Sequence, residues 1–230
     1  MSKKLNVAIC ISGSLRSWDK CYQNFMDRLY NCNKNDHNIQ LFMCIPNKTV
    51  GKKEIIIDDV IYKTFYDDEH LILPNFAENF QNKKKDCESV GGFLAILYQL
   101  QNIYDVFTLV QDYENAHNIE FDIIVRVRND VIFKKDVVIN SYLQKINKNF
   151  LVIPQFHSYS GINDRFAIGN RQTMVKYMSM IKKINDIDGK FFQSEQIVHK
   201  ILKDKQIEIF KSSDILFNRV RRDGTVLKDC

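Results

Sequence analysis

The sequence lacks long apolar runs, closely spaced cysteine pairs and a secretion leader. No run approaches the roughly 20 apolar residues of a membrane span, so no integral membrane segment is expected. The first residues, Met1–Lys4, lead into a strand-like run and not into the apolar stretch of a signal peptide. None of the six cysteines forms a C-x-x-C pair, which argues against a zinc ribbon. Cys10 and Cys44 lie in apolar runs, so we expect free thiols in the core and a reducing, cytoplasmic compartment.

Positive charge is only mildly in excess, because the formal net charge is +5. This balance permits an anionic ligand. The arginines cluster beside acids and no nucleic-acid motif is present, so a nucleic-acid partner is not expected. Hydrophobic residues make up 45% of the chain, which is typical of a globular protein. The length suits one α/β domain or two small ones, and without an internal repeat or a linker we predict a single domain over residues 1–230.

Strand-like and helical patterns alternate along the first half of the chain. Strands are predicted at Leu5–Ile11, Ile39–Ile45, Tyr62–Tyr66 and Phe121–Phe133, and helices at Leu15–Tyr30 and Val90–Tyr113. Later elements are helices at Ile139–Ile146, Thr173–Ile184 and Phe191–Leu202, strands at Phe150–Pro154 and Gln206–Phe210, and an apolar-to-basic run at Ile215–Arg222. The alternation predicts a sheet that is parallel in its first half, with right-handed crossovers. The predicted fold class is therefore α/β, with a mostly parallel central sheet flanked by helices.

The run Phe121–Phe133 is the clearest candidate for a strand that carries a site. It begins with a near-continuous apolar stretch, as a strand covered on both faces does. It ends with Arg126, Arg128 and Asp130 at alternate positions, which point to one side if the strand extends that far. Because ligands bind beyond the carboxyl ends of strands in open parallel α/β sheets, a charged strand end indicates a site. The alternative is a strand that leaves the core with its last residues solvated.

A second candidate is the turn Ser12–Ser14, between the first strand and the first helix. Small residues at Ser12 and Gly13 let a phosphate or ribose approach the backbone, and a helix N-terminus favours negative charge. Arg16 runs against the usual preference for acids in a first helical turn, which makes sense beside an anionic ligand. The pattern lacks the full G-x-G-x-x-G fingerprint, so a simple tight strand-to-helix turn is the alternative.

Further polar clusters are Asn163–Arg165, Ser194–Gln196 and the arginines Arg219, Arg221 and Arg222. Acids mixed with arginines suggest a diphosphate with a divalent cation. The arginine fork matches phosphate oxygens, and Mg²⁺ needs few protein carboxylates when phosphates complete its shell.

Each cluster also has a structural alternative. Asp164 and Arg165 can form an internal ion pair that fixes a loop, and Glu195 can complement the dipole of its helix. The acidic run Asp67–His70 can bind a metal or a ribose, but it is also typical of a polar loop. His157 lies in a loop, where a lone histidine is more often a surface residue than a base.

Taken together and in this order, these segments resemble a family of small glycosyltransferases of GT-A type. That family occurs in giant viruses, with related domains in plants and bacteria. Ile9–Arg16 resembles its ISGxxR opening, and Phe121–Phe133 resembles its hhRxRxDhhF strand, where h is apolar. The sequence NDRFAIG at Asn163–Gly169 matches its NDRFAxG segment. Ser194–Glu195 and Arg219–Gly224 resemble its closing SE and RxxxxG elements, so the resemblance spans almost the whole chain.

The resemblance implies a single-domain GT-A fold, which is Rossmann-like. It also implies transfer of a hexose or deoxyhexose from a UDP- or GDP-linked sugar donor to a glycan or other acceptor. Residues 1–133 would form the nucleotide-binding half and residues 134–230 the acceptor-side half. A viral protein of this kind would act in the host cytoplasm.

In the GT-A fold a short acidic motif after the fourth strand, usually D-x-D, holds the Mn²⁺ or Mg²⁺ that binds the donor diphosphate. The corresponding residues here are Arg128, Asn129 and Asp130, so only the last acid is kept. The resemblance then implies a metal bound through Asp130, with help from Asp67 or Asp68. Alternatively, Arg128 compensates some of the diphosphate charge directly.

The implied mechanism assigns a role to each cluster. The residues assigned to the donor are Ser12, Gly13, Arg16, Arg126, Arg128, Asn163 and Arg165. A cation on Asp130 would stabilise the leaving diphosphate as it gains charge. Asp164 or Glu195 would act as the general base for the acceptor. The second hypothesis is a module that binds a nucleotide or glycan without turnover, which the incomplete D-x-D motif favours.

Overall fold

The computed structural model describes residues 4–13, 15, 17–46, 60–65, 90–186 and 194–230. Arg16 and the acidic run Asp67–His70, which includes Asp67 and Asp68, lie outside these residues. The predictions made for them therefore stay predictions.

Ten strands and five α-helices lie in the described part of the chain. The strands are β1 (Leu5–Ser12), β2 (His37–Pro46), β3 (Val60–Phe65), β4 (Ile123–Arg128), β5 (Val131–Phe133), β6 (Leu151–Pro154), β7 (Phe166–Asn170), β8 (Ile209–Ser212), β9 (Phe217–Val220) and β10 (Val226–Leu227). The helices are α1 (Trp18–Phe25), α2 (Val90–His117), α3 (Leu143–Ile146), α4 (Arg171–Met178) and α5 (Ser194–Asp204). A π-helical segment, Met26–Asn31, extends α1, and 3-10 segments at Ile139–Tyr142 and Met180–Asp186 precede α3 and follow α4.

Seven of these strands form one sheet, in the order β3-β2-β1-β4-β7-β6-β8. The pairs β2–β3, β1–β2, β1–β4 and β6–β8 are parallel, whereas β7 is antiparallel to both β4 and β6. Among the described strands of this sheet, β7 alone therefore runs against the others. The predicted α/β fold, with a mostly parallel central sheet flanked by helices, is confirmed.

The central strands are apolar because both faces of the sheet are covered. Every residue of Val7–Ile11 and of Ile123–Val127 is at most 2% exposed. One face packs against α2, α4 and α5, and the other packs against α1 and a smaller antiparallel sheet in the order β10-β9-β5. Each aliphatic side chain buried in this way contributes about 1.5–3 kcal/mol of transfer free energy.

The predicted strand Phe121–Phe133 is divided in two, which corrects the sequence interpretation. Strand β4 ends at Arg128, the chain turns at Asn129 and Asp130, and β5 then joins the smaller sheet. Asn and Asp favour turns because their side chains bind nearby backbone groups. As a result β5 pairs with β9, and Val131 lies opposite Arg219. The break in the strand thus brings the C-terminal arginines next to Asp130.

Strand β7 was not predicted, since the segment around it reads as polar and glycine-bearing. Its three apolar residues, Phe166–Ile168, are fully buried and pair with Val125–Val127 of β4. The residues just before β7, Asn163–Arg165, are therefore fixed beside the end of β4. Strand β8 also begins three residues later than the predicted Gln206, where a positive φ of 54° marks a turn after α5.

No helix in the described ranges is long and apolar enough to cross a membrane.

Candidate functional site

The carboxyl ends of β1 and β4 lie side by side at the point where the strand order reverses. Strand β1 has β2 on one side and β4 on the other, and Ser12 pairs with Arg128 in register. In open α/β sheets ligands bind in the crevice at such a point. The structure thus brings the turn at Ser12 and Gly13 to the same edge as Arg128 and Asp130.

The turn after β1 is fixed by a contact that the sequence interpretation did not use. Gly13 has a φ of +125°, which side-chain-bearing residues rarely adopt. Asn129 donates from Nδ2 to the main-chain oxygen of Gly13 at 2.9 Å. Asn129 therefore joins the ends of β1 and β4. The only indication of this role in the sequence was its position inside the triplet Arg128–Asp130.

Two residues predicted to bind the donor, Arg126 and Asn163, are buried inside the protein at 1% and 0% exposure. Arg126 donates from Nε to Ser12 Oγ at 3.4 Å and from Nη1 to the main-chain oxygen of Asp164. Asn163 Oδ1 accepts from the main-chain N–H of Arg165 at 3.0 Å. Burial lowers the pKa of Arg126 from its ordinary value. Both side chains bind protein groups and hold β1, β4 and β7 in position.

Asp164 is a buried acid, 2% exposed, that lies among arginines. Gln99 of α2 donates from Nε2 to Asp164 Oδ2 at 2.6 Å. Burial alone would raise the pKa of Asp164, but the charges of Arg165 and Arg126 hold it below its ordinary value. A carboxylate with a low pKa is a weak base, so these surroundings favour a positioning role over proton transfer.

Glu195 and Arg165 form a buried ion pair, with Arg165 Nη2 at 3.0 Å from Glu195 Oε1. Ser194 Oγ donates to the second carboxylate oxygen of Glu195 at 3.0 Å, and the N–H of Ile162 donates to its main-chain oxygen at 3.2 Å. Arg165 keeps two buried donors, Nε and Nη1, that have no partner among the described residues. A buried donor without a hydrogen-bond partner costs free energy. A ligand or water that accepts a hydrogen bond from either atom would therefore bind favourably.

Arg128 and Asp130 form a bidentate pair at the strand end. Arg128 Nε lies 2.8 Å from Asp130 Oδ1, and Nη2 lies 2.6 Å from Oδ2. Burial would raise the pKa of Asp130, but the charge and hydrogen bonds of Arg128 lower it below its ordinary value. The side chain of Arg128 remains 28% exposed and that of Asp130 is 13% exposed. The pair is neutral as a whole and holds the partly exposed guanidinium of Arg128 in a fixed position.

A second bidentate pair joins Arg219 to Asp229. The two distances are 2.7 Å from Nε to Oδ2 and 2.8 Å from Nη2 to Oδ1. Burial would raise the pKa of Asp229, but the hydrogen bonds and charge of Arg219 lower it. His157 Nε2 lies 4.0 Å from Asp229 Oδ1, and its side chain is 26% exposed. His157, expected as a surface residue, is thus half-buried beside this pair.

A cleft of about 620 Å³ opens beyond the carboxyl end of β4, against β9 and β10. Its lining residues are Arg128, Asp130, Arg219, Val220, Arg221, Arg222, Asp223 and Leu227. Four guanidinium groups and two carboxylates line it. Arg219 is also neutralised by Asp229, which is not among the lining residues, so the cleft with this partner keeps an excess of one positive charge. Arg221 and Arg222 are exposed, and their side chains make no hydrogen bond or ion pair with residues that the structure describes. These two side chains are therefore available to a ligand.

The carboxylates of the site that lie beside arginines should make the stability of the fold depend on pH. Asp130, Asp164 and Asp229 all have a folded-state pKa below the ordinary 3.8, so the unfolded state binds more protons at low pH. The free energy that these ionised carboxylates add to the stability of the fold is fully present above about pH 5 and is lost as the pH falls below about 4. We expect the melting temperature to fall steeply there, and less steeply in an Asp229→Asn variant. Parallel curves for the two proteins would contradict this assignment.

The structure thus assembles most of the predicted residues but in two layers. Gly13, Arg128, Asp130, Arg219, Arg221 and Arg222 lie at the edge or in the cleft, whereas Ser12, Arg126, Asn163, Asp164, Arg165 and Glu195 are buried. Sequence reasoning missed Gln99 and Asp229. Gln99 lies 65 positions from Asp164 on a largely apolar helix, so no local pattern indicates their contact.

The metal predicted at Asp130 stays a prediction. In the described ranges no group of three or more His, Cys, Asp or Glu side chains could hold a metal ion. Both carboxylate oxygens of Asp130 are already bound by Arg128.

The fold and the site together define an α/β protein with an arginine-lined cleft at the carboxyl edge of its sheet. The chain belongs to the family described as Domain of unknown function (DUF7796), whose model matches residues 2–217. No curated protein matches the sequence.

Proposed function

We propose that the protein is a glycosyltransferase that moves a hexose or deoxyhexose from a UDP- or GDP-linked donor to a glycan or other acceptor. The observation that carries the proposal is the arginine-lined cleft between the end of β4 and strands β9 and β10, beside the edge where the strand order reverses. Nucleotides bind to open α/β sheets at this position. The order of the segments Ile9–Arg16, Phe121–Phe133 and Asn163–Gly169 along the chain supports the same class.

We propose the GT-A form of the α/β fold. Strands β1 to β4 are parallel, in the order β3-β2-β1-β4. The triplet Arg128–Asp130 begins with the last residue of the fourth strand, at the place where the GT-A fold carries its acidic motif. This position supports the assignment of residues 1–133 to the nucleotide, although the proposed diphosphate site also includes Arg221 and Arg222 from residues 134–230.

The cleft suits the diphosphate of a nucleotide sugar. The diphosphate of such a donor carries two negative charges, and the exposed guanidinium groups of Arg221 and Arg222 offer it two positive charges. Planar guanidinium groups donate two parallel hydrogen bonds to phosphate oxygens. The nucleoside would lie over the turn at Ser12 and Gly13, next to the cleft.

In the proposed chemistry an acceptor hydroxyl oxygen forms a bond to the anomeric carbon, the bond from that carbon to the diphosphate oxygen breaks, and the hydroxyl proton passes to the leaving diphosphate or to water. Negative charge grows on the diphosphate oxygen, and fixed cations that face it stabilise the transition state more than the ground state. Arg128, Arg221 and Arg222 line the cleft, and we propose them for this role. Asp164 and Glu195, predicted as bases, are 2% and 6% exposed, and we propose that they position the buried arginines.

Measuring the nucleoside diphosphate released from a panel of UDP- and GDP-sugars tests the proposal. We expect release from at least one donor, faster with a glycan acceptor, and slowed about tenfold or more in an Asp130→Ala variant that leaves Arg128 unfixed. Arg28→Ala is the control, because Arg28 forms an exposed ion pair with Asp136 and does not line the cleft. The proposal is wrong if no donor is cleaved and none raises the melting temperature.

The second candidate is a module that binds a nucleotide or glycan without turnover. One observation favours it: both predicted bases, Asp164 and Glu195, are buried and bound by protein groups. Such a module would be stabilised by a nucleotide sugar but would release no nucleoside diphosphate in the same assay.

A further inference from the structure

The carboxylate that would hold a metal is engaged by an arginine. Asp130 accepts hydrogen bonds on both oxygens from Arg128, at 2.8 and 2.6 Å. Mg²⁺ and Mn²⁺ need carboxylate oxygens that are free to coordinate. A divalent cation at Asp130 would compete with Arg128 for these oxygens, and it would lie beside the positive charge of Arg128. The residues around Asp130 therefore do not fit a metal site.

Arg128 occupies the place of the first acid in a D-x-D motif. It is the last residue of β4 and pairs in register with Ser12, the last residue of β1. Its guanidinium is held by Asp130 and by a longer contact of 3.5 Å to Gln99, and its side chain is 28% exposed in the cleft. An ordered cation thus stands at the strand end where the metal of related enzymes would be bound.

The rest of the cleft continues this positive surface. The side chains of Arg221 and Arg222 line it, are exposed and make no hydrogen bond or ion pair with the described residues. Lys20 of α1 adds a further cation at the rim, because its Nζ donates to the main-chain oxygen of Arg222 at 3.2 Å. The protein itself therefore supplies the charge that a diphosphate requires.

We infer that arginines, and not a divalent cation, neutralise the diphosphate of the donor in this cleft. The inference rests on the proposed function and names the ligand chemistry of that site. Arg128 supplies a fixed charge at the strand end, and Arg221 and Arg222 supply forked hydrogen-bond donors to the phosphate oxygens.

Isothermal titration of UDP and GDP into the full chain, once in EDTA and once with Mn²⁺, tests the inference. We expect the two Kd values to agree within about twofold, because the positive charge comes from the protein. Arg128→Asp restores the D-x-D spacing. It should weaken binding in EDTA by about tenfold or more and regain affinity when Mn²⁺ is added.

Arg28→Ala is the matched control and should leave Kd unchanged under both conditions, since Arg28 does not line the cleft. If Arg128→Asp fails to fold, Arg221→Ala at its exposed position should weaken binding in EDTA by about tenfold. Wild-type binding that occurs only with Mn²⁺ would overturn the inference and leave the proposed function standing. Absence of nucleotide binding under both conditions would contradict the proposed function, and the inference with it.

Discussion

Replacing Arg221 and Arg222 together with alanine is expected to weaken the binding of UDP or GDP by about 100-fold, because each lost charge-assisted hydrogen bond costs roughly tenfold. Both side chains line the cleft and are exposed, and neither has a partner among the described residues. Their removal also takes two positive charges from the cleft. Titration of the nucleotide into the double variant measures the effect.

The fold should not change in this variant, since the lost side chains make no described contact that supports the core. An unchanged melting temperature checks this point. A double variant of Lys182 and Lys183, which do not line the cleft and carry the same charge, is the control for loss of net charge alone. Equal weakening in the two double variants would show that binding depends on overall charge and not on this cleft.

Replacing Gly161 with alanine is expected to destabilise the fold by about 3 kcal/mol, which lowers the melting temperature by about 6–12 °C. A Cβ atom at Gly161 would lie 2.1 Å from the main-chain oxygen of Glu195 and 2.7 Å from the main-chain nitrogen of Gln196. Both contacts are with backbone at the start of α5, so a side-chain rotation cannot relieve them. The same shift would pull Glu195 away from Arg165 and weaken their buried ion pair.

Gly169→Ala is the matched control for this substitution. A Cβ atom there meets the flexible side chain of Met174 at 3.3 Å, which can move by a few tenths of an ångström. Thermal denaturation of both variants compares them directly. A loss of stability at Gly161 no larger than that at Gly169 would contradict the close approach between the loop and α5.

Periodicity predicted the parts of the fold whose faces are uniformly buried. Strands β1 and β2 read as apolar runs because both faces of the sheet are buried there. Helix α2 has a long apolar face because it packs against the sheet. Strand β7 was not predicted because its apolar run is only three residues long, Phe166–Ile168, and has polar neighbours. Its place beside β4 depends on pairing across the sheet, which a local pattern cannot reveal.

The site was predictable where its residues share a strand end. Ser12, Arg128 and Asp130 meet because the carboxyl ends of β1 and β4 are neighbours. The bidentate pairing of Arg128 with Asp130 was not foreseen, because it requires the turn that ends β4. The cleft itself was also not foreseen, because it forms only when β5 pairs with β9. This pairing brings Arg221 and Arg222 to the end of β4.

A crystal structure of the protein with a UDP- or GDP-sugar tests the central claim most directly. The account predicts that the diphosphate lies in the cleft beyond β4, within hydrogen-bond distance of Arg221 or Arg222 and next to Arg128, with the nucleoside over the turn at Ser12 and Gly13. A nucleotide bound elsewhere on the molecule, with the cleft left to solvent, would contradict it.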